Sequence, residues 1–136
     1  MRFHIEKLCG LTFAASLSIT AHAQADCTNG TPDATQCINL LKKAEKQLQN
    51  TTSLYGKTNS EKLRKTYDVA YAHDFQKKLR VNVIQWQAYR NSQCSMDVLG
   101  SGMTLQYVPA IVASCQLGMT VERLGDFKQK LKYLND

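Results

Sequence analysis

Apolar residues recur at helical spacing through most of this chain. Cys37, Leu41, Ala44 and Leu48 follow at intervals of four, three and four, which is the repeat of one helix face. Lys42, Lys43, Lys46 and Gln47 fall elsewhere on the same wheel. Thr31-Pro32-Asp33 supplies a start signal, with Thr as cap, Pro at the first helical position and Asp in the first turn. Gly56 supplies a stop. Thr58-Asn59-Ser60-Glu61 fits a capping box that opens a second helix. Its stripe is Leu63, Tyr67, Tyr71, Phe75, Leu79, Val83 and Trp86, and no Pro or Gly interrupts residues 57–99. A helix from Ser60 to Cys94 would be about 50 Å long at 1.5 Å per residue. That is long for so small a domain and leaves room for a kink or break near His73. Aromatic stripes of this kind are expected to be core. Residues 95–107 hold Gly100 and Gly102 with little periodicity and read as a loop. Pro109 then opens a third helix carrying Ile111, Cys115, Leu117, Val121, Leu124, Leu131 and Leu134. The predicted fold class is all-α, a small antiparallel hairpin or bundle of about three helices.

The N-terminus sets the compartment. Arg2 and Lys7 form a basic region, Leu8 to Thr20 an apolar one, and Ala21-His22-Ala23 has the small-x-small form of a secretory cleavage site. Residues 1–23 are therefore expected to be a signal peptide and residues 24–136 one helical domain. The apolar run is short of the roughly 20 residues of a membrane span, and the mature chain has no transmembrane segment. Neither Cys9 nor Cys27 follows the small and apolar residues that lipid attachment requires. The product is expected to be periplasmic or secreted.

Export makes the cysteines informative. Cys9 leaves with the leader, and Cys27, Cys37, Cys94 and Cys115 remain. Four cysteines in a small exported domain imply two disulfides and allow three connectivities. Antiparallel packing of neighbouring helices places Cys37 opposite Cys94, which favours Cys37–Cys94 with Cys27–Cys115. The local pairs Cys27–Cys37 and Cys94–Cys115 are the rival. No C-x-x-C is present and mature His73 stands alone, so no metal site is expected.

Charge and missing motifs narrow the function. The chain carries +6, and the leader removes two cations and one anion, leaving +5. A basic exported protein suits anionic envelope components or an acidic partner. Nucleic acid is not expected outside the cell. No nucleophile elbow, phosphate loop or paired catalytic carboxylates stand out. The chain is read as a non-enzyme without cofactor.

Trp86-Gln87-Ala88-Tyr89-Arg90 places two aromatics and a cation on neighbouring helix faces, and Cys94 follows two turns after Trp86. Trp86 reads as a core anchor. An arginine at this spacing lies on a ring or pairs with a carboxylate, and Tyr89 is suited to keep its hydroxyl wet. Trp86-x-x-Tyr89-Arg90-x-x-x-Cys94, followed by Cys115-x4-Thr120-x2-Arg123-Leu124, resembles the LprI-like family of small exported bacterial proteins, named for a lysozyme inhibitor. The resemblance covers about residues 27 to 131. Cys37, Trp86, Arg90, Cys94, Cys115, Thr120 and Arg123 match its pattern, and the segment Glu45-Lys46-Gln47-Leu48-Gln49 matches a family segment in part. An acidic residue usually follows the motif arginine, where this chain has Asn91. The resemblance implies an exported non-catalytic binder that inhibits lysozyme. Animal lysozymes are strongly basic, as this chain is, and like-signed partners lose electrostatic steering, so a less basic bacterial muramidase suits the charge better. The loop at 95–107 would be the docking element, since a rigid scaffold presents it between two cysteines. The alternative is an envelope-associated structural or virulence factor whose basic helices bind anionic glycan, lipopolysaccharide or a protein partner.

Overall fold

The computed structural model describes Cys27, residues 33–102 and residues 104–135. The expected signal peptide lies outside the described residues, as do Thr31 and Pro32. Three helices follow in order: α1 (Ala34–Thr66), α2 (Val69–Gly100) and α3 (Val108–Asn135), with a short 3-10 turn at Leu105–Tyr107 before α3. The chain is an all-α bundle with two disulfides, and no strand occurs among the described residues.

Asp33 rather than Thr31 caps α1, its Oδ1 accepting from the Thr35 N–H at 2.8 Å. The stop expected at Gly56 is not used. Helix α1 runs through Gly56 and through the expected capping box to Thr66. Gly56 is buried, and a Cβ there would stand 3.0 Å from Leu79 Cδ2. The glycine therefore serves close approach of α2, and this contact outweighs its helix penalty of about 1 kcal/mol. Gln76 fixes the approach by donating to the Gly56 carbonyl at 2.8 Å and to Ser60 Oγ at 2.7 Å.

The break falls at Tyr67-Asp68, not near His73. Tyr67 leaves helical geometry, and Asp68 Oδ1 caps α2 through the Tyr71 N–H at 2.9 Å. Arg64 and Lys65 in the last turn of α1 suit the negative end of its dipole. A two-residue connection makes α1 and α2 antiparallel.

Cys37, Leu41 and Ala44 of α1 meet Ala113 and Leu117 of α3, and Leu48 meets Leu124 and Phe127. These helices thus advance in parallel, and α3 runs out first. Roughly two turns of the α1–α2 hairpin, about 10 Å, project beyond it. This corrects part of the aromatic core expectation. Phe75, Leu79, Val83 and Trp86 turn inward, but Tyr67 and Tyr71 lie on the projecting turn and are exposed.

The expected loop at 95–107 is mostly helical. Helix α2 continues to Gly100, and the 3-10 turn begins at Leu105, with Ser101, Gly102 and Thr104 the described residues between them. Gly102 takes a φ of 66°, the left-handed geometry that glycine adopts without cost.

The disulfides join the local pairs, Cys27–Cys37 and Cys94–Cys115, with Cα separations of 5.5 and 5.6 Å. The expected Cys37–Cys94 and Cys27–Cys115 pairing is overturned. The cause is register. Glu45 meets Arg90, so eight residues back along α1 Cys37 lies level with Val98, one turn past Cys94. Cys94 instead lies level with Cys115 across the α2–α3 hairpin, in register with the Arg90–Thr120 contact.

Trypsin cleavage of the oxidised, unreduced protein between Lys42 and Arg80 is expected to release two separate cystine-linked halves by mass spectrometry. A species joining both halves would overturn this connectivity. Gly56→Leu is expected to lower stability by about 1–3 kcal/mol through overpacking. Gly125→Ala, where an added Cβ meets nothing within 4 Å, is expected to raise it by up to about 1 kcal/mol in denaturant titration.

Candidate functional site

The motif residues converge at mid-height in the bundle. Arg90 on α2 is only 5 % exposed. Its Nη1 donates to Thr120 Oγ1 of α3 at 2.8 Å, and its Nη2 donates to Glu45 Oε1 of α1 at 2.8 Å. Nε and Nη2 also donate to Asn91 Oδ1 at 3.2 and 3.0 Å. A guanidinium carries five donors in a fixed fork and cannot shed its charge. Here one side chain reaches all three helices.

Each acceptor is held in turn. Thr120, fully buried, donates its own hydroxyl to the Gln116 carbonyl at 2.6 Å, which leaves a lone pair for Arg90. Asn91 Oδ1 also accepts from Gln116 Nε2 at 3.1 Å. Asn91 thus supplies the acceptor oxygen where the resemblance implies an acidic residue, without a second negative charge. Among the described residues no buried side-chain polar atom lacks a partner.

Trp86 packs beside this cluster. The Arg90 guanidinium lies 5.3 Å from its ring centre and that of Arg123 lies 5.8 Å away. Arg123 also stands 5.0 Å from the Phe127 ring and donates to Asn82 Oδ1. Half-buried Trp86 packs against the lower core of Leu48, Leu124 and Phe127. The upper core of Cys37, Leu41, Ala44, Ala113 and Leu117 lies on the other side of the polar layer.

Trp86, Arg90, Thr120 and Arg123 therefore come together. Tyr89 makes no hydrogen bond to the Arg90 cluster and is exposed, lining a shallow depression with Trp86, Arg123, Met119, Glu122 and Asp126. Sequence reasoning left Glu45, Asn82 and Gln116 outside the candidate set. Glu45 carried a signal, as the lone carboxylate among Lys42, Lys43 and Lys46 on α1. Asn82 and Gln116 carried none, because their partners are set by register.

A groove of about 670 Å³ opens between α1 and α2 above the cluster, lined in part by Lys42, Glu45, Gln49, Trp86 and Gln87. Arg90 lines it with four of its five donors already engaged. Among the described residues no three His, Cys, Asp or Glu side chains gather as a metal-holding group. No helix there is long and apolar enough to cross a membrane.

The other feature is the α2–α3 tip, clamped by Cys94–Cys115. Leu99 is 80 % exposed, Leu105 87 % and Met96 61 %. The charged residues from Val81 to Glu122 are Arg90, Asp97 and Glu122, and Arg90 is buried and paired. The level of α1 beside the tip, residues 33–41, adds only Asp33. The described surface of this end is apolar and faintly acidic.

Arg90→Ala is expected to cost about 2–4 kcal/mol, because it removes the hydrogen bonds to Glu45 of α1 and Thr120 of α3 and a ring contact. Glu45→Gln is expected to cost less than about 1 kcal/mol. The Glu45 side chain is 41 % exposed, and an amide oxygen still accepts from Arg90. Paired denaturant titrations check the asymmetry.

The sequence model of the family described as lysozyme inhibitor LprI matches residues 21–127. No curated protein and no solved structure matches the chain.

Proposed function

The chain belongs to the lysozyme inhibitor LprI family, and from that premise we propose that it is an exported, non-catalytic inhibitor that docks on a lysozyme-type muramidase through its α2–α3 tip. The observation that carries the reading is the tip itself. Three large apolar side chains stand exposed around the tip, Met96 and Leu99 on the last turns of α2 and Leu105 on the 3-10 turn, above a disulfide at its base. Burying such anchors in a partner's cleft is a main source of interface energy. A clamped, short connection loses little freedom on docking, so less of the contact energy is spent on ordering.

A muramidase cleft holds its sugar between two carboxyl groups. A wedge seated there excludes substrate without any chemistry of its own. The α2 part of the expected docking segment, residues 95–100, acts as the rigid stem, and Ser101, Gly102 and residues 104–107 form the edge.

The local charge of the tip admits a basic target as well as a neutral one. The chain as a whole is basic, and like-signed partners lose steering. Its exposed cations, however, are concentrated away from the tip. Screening falls within about 8 Å at physiological salt, and the opposite end of α2 lies about 50 Å from the tip along a 32-residue helix. A basic enzyme seated on the tip meets Asp97 and apolar surface.

The oxidised mature protein is expected to inhibit a basic animal lysozyme, a bacterial muramidase or both in parallel assays at physiological salt. The double variant Leu99→Asp, Leu105→Asp is expected to weaken inhibition at least about tenfold with unchanged helix content. Absence of inhibition and of complex formation with either enzyme, from correctly oxidised protein, overturns the reading.

A further inference from the structure

The end of the bundle opposite the tip has the reverse character. Lys57, Lys62, Arg64 and Lys65 on α1, Lys77, Lys78 and Arg80 on α2, and Lys128, Lys130 and Lys132 on α3 are all exposed. Among the described residues, the carboxylates of the same segments are Glu61, Asp68, Asp74 and Asp126; Asp136 lies outside them. Asp68 is engaged as the α2 cap, and Asp74 pairs with Lys78 at 2.7 Å. Asp74 also raises the Lys78 pKa, by its hydrogen bond first and its charge second. Most of the cations at this end therefore face solvent without a carboxylate partner among the described residues.

Charge alone is an ordinary solvated face. A second observation makes this one different. The two turns of hairpin that project past α3 end in Tyr67, Val69 and Tyr71, which are 65, 66 and 60 % exposed. The two tyrosine rings stack at 5.2 Å. Nothing in the core uses them. Tyrosines at a turn ringed by lysine and arginine match the layered chemistry of a bilayer interface. Aromatic rings with a polar tip settle at headgroup depth, and cations beside them meet the phosphates. A soluble polyanion would engage the cations and leave Tyr67, Val69 and Tyr71 unused.

We propose that the α1–α2 turn docks on an anionic phospholipid surface, with Tyr67, Val69 and Tyr71 entering the headgroup layer and Lys62, Arg64 and Lys65 meeting lipid phosphates. The bundle then stands end-on, and the α2–α3 tip points away from the membrane by about the 50 Å length of α2. The contact is peripheral and salt-sensitive. It uses no residue of the Arg90 cluster or of the tip, so it stands or falls separately from muramidase binding.

Vesicle flotation with the oxidised mature protein tests this. Binding to phosphatidylcholine vesicles containing phosphatidylglycerol is expected, with little binding to pure phosphatidylcholine and steep release as salt rises. The triple variant Lys62→Gln, Arg64→Gln, Lys65→Gln is expected to lose at least about tenfold in vesicle affinity. The double variant Tyr67→Ser, Tyr71→Ser keeps every cation and is expected to lose several-fold on vesicles while holding dextran sulfate as tightly as the parent. Both variants should retain parental helix content by circular dichroism, since all five positions are exposed. Equal binding to both vesicle types, or no binding to either, overturns the proposal. A tyrosine variant that floats like the parent also overturns it and marks the patch as a site for soluble polyanions.

Discussion

Arg90 is a permanent charge kept away from water at the centre of a small bundle. Taking such a group out of solvent costs several kcal/mol unless its donors are met, and here the acceptors come from every helix. Glu45 belongs to α1, Thr120 to α3 and Asn91 to α2 itself. Any slip of one helix past another by a single turn, about 5.4 Å, would leave a buried donor unpaired. The arginine therefore specifies the register, more than it adds net stability. The apolar contacts above and below it are less discriminating, because leucine on alanine tolerates sliding better than a guanidinium on a hydroxyl.

The two ends of the molecule follow from that fixed register. With Glu45 level with Arg90, and Arg90 level with Thr120, Cys94 stands beside Cys115 and the α2–α3 connection is clamped. The same register sets the last described residue of α3, Asn135, about two turns short of the α1–α2 turn. One end is thereby a covalently held apolar wedge, and the other is a bare hairpin carrying tyrosines and cations. Charge has been sorted to match, with Lys42 and Lys43 the nearest exposed cations to the wedge, just past its level on α1, and a concentration of cations at the hairpin. Such a rod has two unlike ends, which is the form expected of a protein that holds one partner while presenting a different surface.

Trp86 shows how one side chain serves both packing and charge. Its ring closes the lower core against Leu48 and Phe127, and its faces lie near two guanidinium groups. An arginine stacked on a ring is restrained before it makes its hydrogen bonds, so fewer rotamers are lost in forming them. The pairing of Trp86 and Arg90 four residues apart is a local device that lowers the cost of a long-range network.

The sequence by itself determined the all-helical class, the inward stripe over most of each helix, and Trp86, Arg90, Thr120 and Arg123 as residues of the central cluster. Helical spacing, the motif around Trp86 and the absence of strand patterns are local properties, and local properties are written in the chain. Trp86 and Arg90 sit on one helix surface by spacing alone. The tertiary structure decided the rest. Gly56 and Thr58-Asn59-Ser60-Glu61 carry good termination signals, yet the helix passes through them because packing of α2 against Gly56 outweighs a penalty of about 1 kcal/mol. That moved the turn to Tyr67-Asp68 and changed which residues face each other across the hairpin. Disulfide pairing, the exposure of Tyr67 and Tyr71, and the choice of Glu45 and Asn91 as partners all depend on that shift. Register is set by contacts among three helices at once, and no window of sequence contains it.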